Sequence, residues 1–311
     1  MTTFNEPQHQ TEETARAWFE KLRWPSGVVC PHCGSIGRAY ARKRPGLYRC
    51  AEKECRKDFT VTTKSVMESS HIPLRLWAQG FTLLCSSKKG MSAHQIHRTL
   101  KITYKSAWFL CHRIREAMRT GGLELLGGDG KIVEADETYY GKMEKPYVSP
   151  QRKGRPYKVG SRGPRDKRPI VALVERGGSV RSFHVAHADK YTVGGIVAGN
   201  IARESRLHTD ESRLYPEVGQ LFASHETVKH SRKEYVRGDV HTNSAEGFFS
   251  IFKRGMRGVY QHCDEKHLHR YLAEYDFRYN HRSALGIEDG ERAALAVKGA
   301  AGKRLTYRNA H

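Results

Sequence analysis

Four cysteines constrain this chain before anything else does. Cys30-Pro31-His32-Cys33 is followed by sixteen residues, then Cys50, four residues and Cys55. Two Cys pairs carried on two turns can close a tetrahedral four-sulfur site around one structural Zn²⁺. The spacer segment RAYARKRPGLYRC alternates in character and predicts a β-hairpin between the two knuckles. The second knuckle departs from the usual two-residue gap, and His32, inside the first, is a competing ligand that points away in most such turns. Cys85, Cys111 and Cys263 are scattered singly. The start, MTTFNEPQHQTEETARAWF, is polar and acidic rather than signal-like, and no apolar run approaches 18 residues. The expectation is therefore a cytoplasmic protein with no membrane segment. In that setting clustered cysteines point to metal rather than disulfides.

Charge adds a partner. Lys and Arg number 54 against 33 Asp and Glu, a formal charge of +21. The excess is spread along the chain, which predicts a polyanionic partner, with double-stranded DNA the commonest. Arg42, Lys43 and Arg44 sit between the knuckles, with Arg38, Arg49, Lys53, Arg56 and Lys57 nearby. A ribbon so charged should grip the phosphate backbone, which contributes affinity but little sequence information.

Periodicity then divides the chain. Residues 11–24 read as an amphipathic helix capped by Thr11, with Ala15, Trp18, Phe19 and Leu22 on one face. Residues 72–119 read as three helices, the second capped by Ser92 and the third starting after Lys101-Ile102. Two helices across so short a turn suggest a helix-turn-helix, with Tyr104, Lys105 and Arg113 of the third helix facing DNA. The alternative is a plain three-helix bundle, and in either case Leu110, Ile114 and Met118 are core. Gly121–Gly130 reads as a linker. Residues 142–168 carry ten basic residues among Gly and Pro without periodicity, and read as a mobile surface loop. The expected domains are 1–65 (helix plus zinc ribbon), 66–125 (helical, DNA-binding), 126–285 (α/β) and 286–311 (basic tail).

The third segment carries the chemistry. In KIVEADETYYG a β-rich run holds Glu134, Asp136 and Glu137, and strand alternation sends the first two to one face and Glu137 to the other. PIVALVE and SVRSFHVAH flank a Gly-Gly turn and predict a hairpin. A helix follows over YTVGGIVAGNIA, then a strand ending at Asp210, then a short strand SHETVKHS. The helix over 241–257 places Asn243, Glu246, Ser250 and Lys253 on one stripe and Phe248, Phe249 and Phe252 largely elsewhere. This is the element order of a ribonuclease-H-like fold, in which neighbouring strands and a crossing helix bring three ligands together. Two divalent ions in such a site activate a hydroxyl and stabilise the leaving oxygen of a phosphodiester. Mg²⁺ requires hard oxygen ligands of the kind these acids supply.

The whole pattern resembles the DDE-type insertion-sequence transposases of the zinc-ribbon group. The resemblance rests on LRWPSGVVCPHCGS, YRCAEKECRKDFTVTTKSVME, ADETYYGK, VERGG, HTDESRLY, HTNSAEGFFSIFKRGMRGVYQH and HLHRYLAEYDFRYNHR, which together run from residue 22 to 282. It implies Asp136 and Asp210 as the first two catalytic acids, Asn243 as the third position, and Lys253 as a catalytic lysine. It implies two Mg²⁺ ions on Asp136, Asp210 and Asn243, with Mn²⁺ as a substitute. Yet 35 residues separate Asp210 from Glu246, the spacing at which many related integrases carry their third acid, so Glu246 stays open beside Asn243. Arg254 on the same helix is a further expected DNA contact. The implied partners are the element's terminal inverted repeats and target DNA, bound by a homodimer or larger assembly. Two other readings share parts of this pattern: a zinc-ribbon helix-turn-helix regulator, and a hydrolytic nuclease of the same fold.

Overall fold

The computed structural model describes residues 4–120, 124–144 and 166–306. The chain divides into two compact units, Met1–Thr120 with His281–His311, and Gly121–Asn280.

The first unit starts with α1, Glu12–Arg23, closed by a capping box in which Thr11 and Thr14 satisfy each other's backbone N–H. Ala15 and Phe19 are its buried positions. The expected hairpin of the ribbon gains a third strand: β1 (Ala39–Ala41), β2 (Tyr48–Cys50) and β3 (Asp58–Phe59) form one antiparallel sheet. Trp24 packs edge-on against Tyr48 and Phe59, which stack on each other. These rings give so small a sheet apolar support.

Three helices follow: α2 (Leu74–Ser86), α3 (Ala93–Leu100) and α4 (Tyr104–Met118). Ser92 caps α3 by accepting from Gln95 N, and Thr103 caps α4 by accepting from Ser106 N, both at 3.2 Å. Lys101 between them takes a left-handed conformation, φ 52°, which makes the tight turn. Leu110, Ile114 and Met118 are buried as expected, alongside Trp77, Phe81 and Ile96. Gly80 lets α2 approach α4 closely, since a Cβ there would stand 2.7 Å from a Leu110 methyl. The stretch expected as a basic tail holds a further helix, α9 (Asp289–Lys298), packed on α2. Ala293, Ala296 and Val297 are buried, and Arg292 donates to the Cys85 and His281 carbonyls. The apolar i, i+3, i+4 spacing of those three residues accounts for the burial.

The second unit is one five-stranded sheet in the order β6-β5-β4-β7-β8. Its strands are β4 (Ile132–Lys142), β5 (Lys167–Glu175), β6 (Val180–His184), β7 (Arg206–Asp210) and β8 (Ser224–Val228). The β4–β5 and β5–β6 pairs are antiparallel, and the β4–β7 and β7–β8 pairs parallel. Helix α5 (Lys190–Asn200) and the short α6 (Pro216–Gly219) cover one face; α7 (Asn243–Gly255) and α8 (Leu268–Asn280) cover the other. Strand β5 shows why: Ile170, Ala172 and Val174 meet α7 and α8, while Val171 and Leu173 meet α5. A strand buried on both faces reads as a continuous apolar run, as PIVALVE does. This is the ribonuclease-H-like α/β architecture. The Gly-rich stretch 121–130 is only partly a linker, because Leu126 is buried and exchanges backbone hydrogen bonds with Asn200 and Ala202. The basic stretch 142–168 lies mostly outside the described residues.

Candidate active site

Parallel pairing decides where the acids meet. The β4–β7 ladder runs Ile132–Arg206, Val133–Leu207, Glu134–His208. Two residues beyond its last pair come Asp136 and Asp210, at equivalent positions on neighbouring strands. Asp210 is the C-terminal residue of β7, at the strand end where open α/β sheets place their chemistry. Helix α7 crosses the face of β4 that carries Glu134 and Asp136, with Asn243 and Glu246 exposed in its first turn.

The electrostatics follow from that placement. Burial, then the charges of Glu137, Asp210 and Glu246, push the Asp136 carboxyl up to about 8. Its only compensation among these causes is the Glu137 N–H, donated to Oδ1 at 2.8 Å. Burial also raises Asp210, opposed by the Ser212 N–H at 3.0 Å and by His230. His230 Nε2 lies 3.6 Å from Glu246 Oε1. Lys253, two turns along α7, is lowered by burial and by Arg257, while Asp136 acts in the opposite sense. Asp136, Asp210, Glu246 and Lys253 therefore share one field. Their ligand atoms are spread more widely than a one-ion cluster. Among the described residues, only the four cysteines gather at least three ligand atoms within 4.8 Å of one another. Carboxylate oxygens with surplus negative charge fit hard divalent cations.

Glu137 and Glu134 extend the site beyond the residues the sequence singled out. Glu137 faces the α5 side, as alternation predicts, and accepts from Tyr215 OH at 2.6 Å and Ser212 Oγ at 3.1 Å. Glu134 has no exposed surface and meets the N-terminus of α7. Arg176, read from sequence only as the start of a turn, is its ion-pair partner at 2.9 Å.

The cysteine site is well formed. Cys30 Sγ lies 3.7 Å from Cys55 Sγ, and Cys33 Sγ lies 3.6 Å from Cys50 Sγ. A tetrahedral Zn²⁺ with bonds of about 2.3 Å puts its sulfurs about 3.8 Å apart, so the four residues fit one zinc ion. Of the residues expected at DNA, Tyr104 is 44% exposed and stacked on His94, and Lys105 is exposed. Arg42, Lys43 and Arg44 are exposed in the β1–β2 turn, and Arg254 is exposed but donates to Ser250 of its own helix. Arg113 does not fit a DNA-facing role. It is 4% exposed, donates to the Glu68 carbonyl at 2.9 Å and lies over the Phe109 ring. A guanidinium held in that way has no free face for phosphate.

A ribbon with four converging cysteines, followed by a ribonuclease-H-like sheet with half-buried aspartates side by side on two neighbouring strands, defines a zinc-ribbon nucleic-acid-processing protein. Residues 125–280 match the ISXO2-like transposase domain, and residues 10–58 match the transposase zinc-ribbon domain. The chain belongs to the ISXO2-like transposases. It is also 29% identical over 262 residues to an uncharacterized protein in transposable element ISH50 of Halobacterium salinarum, spanning 80% of this chain and 85% of that protein. Among the described residues no helix is long and apolar enough to cross a membrane.

Two outcomes follow for the metal-related groups. Protein purified without chelator should carry one zinc per chain by elemental analysis, and Cys33→Ser should lose it and unfold the ribbon, because such sites derive folding energy from the metal. Zinc-free but folded wild-type protein would contradict this. For Asp136, the folded protein pushes the carboxyl from its ordinary 3.8 up to about 8. Its stabilising contribution is thus complete below about 4 and is lost as pH rises through about 8. In chelator, thermal melts of wild type should fall across that range, and Asp136→Asn should flatten the fall and raise the melting temperature at pH 8 by several degrees. Added Mg²⁺ should stabilise wild type at pH 8 and leave the variant unmoved. Identical pH slopes in the two proteins would refute the assignment.

Proposed function

We propose that this chain is a transposase that cleaves DNA strands at the ends of its insertion sequence and joins them to a target, using Asp136, Asp210 and Asn243 as ligands for two Mg²⁺ ions. The observation that carries the reading is the parallel β4–β7 register, which sets Asp136 and Asp210 at equivalent positions on neighbouring strands, with the first turn of α7 over that face of β4. Burial and the carboxylates gathered there push the Asp136 carboxyl up to about 8, an environment that a divalent cation would relieve, and the net charge of +21 suits a polyanionic substrate. When bound, Mg²⁺, or Mn²⁺ in its place, supplies a lowered pKa for the attacking hydroxyl and neutralises charge on the leaving oxygen.

The chain's own groups do the rest. Asp136 and Asp210 present oxygens from neighbouring strands, whose pairing fixes their separation. Asn243 completes the set from the first turn of α7, and Glu246 adds an oxygen beside it, directly or through water. Lys253 brings an ammonium group to a phosphate near the reacting bond. No protein nucleophile is required, so Tyr139 and Tyr140 have packing or DNA-contact roles. The ribbon, with Arg42, Lys43 and Arg44, holds the phosphate backbone, and α3–α4, with Tyr104 and Lys105, read the terminal inverted repeats. Arg254 faces DNA from α7. Residues 1–65, 66–125 and 126–285 then divide backbone grip, end recognition and chemistry. Two active sites must act on paired ends and one target, so the working form on DNA is at least a homodimer. Its place of action is the nucleoid, in the cytoplasm.

The test is cleavage and strand transfer on labelled duplexes carrying the element's own ends. Asp136→Ala and Asp210→Ala should each lose at least about a hundredfold in both reactions, the upper end of what losing even a supporting residue of a metal site costs. DNA affinity should persist in both. Asn243→Ala should be as damaging, and Glu246→Ala milder and partly relieved by Mn²⁺. The reverse order for the last two would assign the third ligand to Glu246. Cleavage surviving either aspartate change would end the reading, and cleavage without joining would leave a nuclease.

A further inference from the structure

Helix α7 begins without a cap of its own. Its N-cap residue, Thr242, accepts no helix N–H through its side chain, and its hydroxyl instead donates to Glu246 Oε1 at 3.4 Å. The first turn of a helix leaves N–H groups that need partners, and burial makes leaving them unpaired costly. Here the partner comes from 110 residues earlier in the chain. Glu134 Oε2 accepts from Ser244 N at 2.8 Å and Ala245 N at 3.1 Å. Glu134 Oε1 accepts from Ser244 Oγ at 3.0 Å and from Arg176 Nε and NH2 at 3.1 and 2.9 Å. The same guanidinium donates to the Asp239 carbonyl at 2.8 Å and the His241 carbonyl at 3.3 Å, gripping the segment that leads into α7.

We propose that Glu134 is a positioning residue of the active site: as a buried tertiary cap, locked by Arg176, it sets the place of the α7 first turn against β4. The inference rests on the reading of Asp136, Asp210 and the α7 first turn as the metal site. The geometry explains why the device sits there. Glu134 is two residues before Asp136 on the same face of β4, and Ser244 and Ala245 lie between Asn243 and Glu246. One carboxylate therefore ties the strand carrying the first acid to the turn carrying the third position. A negative charge at a helix N-terminus is favourable in itself, and the Arg176 charge beside it keeps the hub from adding to the surplus around Asp136. Five charge-assisted bonds on one buried carboxylate fix its orientation, which a single surface ion pair would not.

The experiment uses the full chain with zinc. Glu134→Gln keeps the shape and removes the charge. Amide hydrogen exchange is read at Ser244 and Ala245, with Phe252 further along α7 as the internal control. Mn²⁺ binding is read from the free-ion paramagnetic resonance signal, and cleavage kinetics on the element's end duplex complete the set. The expected result is at least about tenfold faster exchange at Ser244 and Ala245 with Phe252 unchanged, Mn²⁺ binding weakened about tenfold, and a lower kcat with KM for DNA near wild type, the size of effect that support of metal ligands carries. If Glu134→Gln does not accumulate as folded protein, Ser244→Ala deletes one bond to Oε1, and the same readings should shift in the same direction. Unchanged exchange at Ser244 and Ala245 overturns the proposal, and so does faster exchange with Mn²⁺ affinity and kcat untouched, which would make Glu134 merely structural. Asp136→Asn separates the two layers. If it leaves Mn²⁺ binding intact, the metal reading fails, and the exchange arm alone decides whether Glu134 holds α7.

Discussion

A carboxylate on a central strand must be compensated, and β4 carries three within four residues. Each meets a different answer. Glu134, without exposed surface, is matched by Arg176 and by the amides of the α7 first turn. Glu137, on the other face, is matched by the buried Tyr215 hydroxyl and by Ser212. Asp136, between them, receives one backbone N–H and three unfavourable neighbours, and burial with those charges pushes it up to about 8. Two acids are built into the fold, and one is left with a charge that the fold does not absorb. Removing one partner of a buried charged pair typically costs about 3–5 kcal/mol, so the Glu134–Arg176 pair holds its elements firmly. The middle one is free to serve a cation.

The rest of the second unit keeps that arrangement in register. Antiparallel pairing with β5 and parallel pairing with β7 place β4 at the centre of the sheet. The first pairing runs in line through Asp136 and on to Tyr140, and the second brings Asp210 alongside. Phe248, Phe249 and Phe252 anchor α7 on the sheet, and the Glu134 hub fixes its start. The ribbon solves a different problem with a similar device. Its three short strands bury too little to stand alone, and four convergent sulfurs supply the missing constraint when metal binds.

Much of this was legible before any coordinates. Cysteine spacing located the ribbon, because zinc geometry tolerates few spacings. Alternation placed Glu134 and Asp136 on one face and Glu137 on the other, because strands have a fixed period of two. What resisted was contact across long separations. Nothing local marks Glu134 as a cap for Ser244, or Arg176 as its partner, since the three are joined only by the fold. Arg113 shows the opposite failure: a basic residue on a candidate reader helix is expected at DNA, yet its guanidinium lies over Phe109 and donates to the Glu68 carbonyl. Helix position says which face a residue occupies only once the neighbours of that helix are known. The end of the chain was read by charge, and the apolar spacing of Ala293, Ala296 and Val297 within it was the signal passed over.

The central claim is that the uncompensated acid of β4 and the end of β7 hold divalent cations, and the most direct measurement is where those cations sit. Crystals of the full chain grown with Mn²⁺ would give an anomalous difference map of the ion positions. The account predicts peaks in contact with the carboxylate oxygens of Asp136 and Asp210, on the side facing the first turn of α7, and no ion at Glu134, whose oxygens are already filled. A map with no peak at the two aspartates, or with ions at Glu134 or Glu137 in their stead, would contradict it.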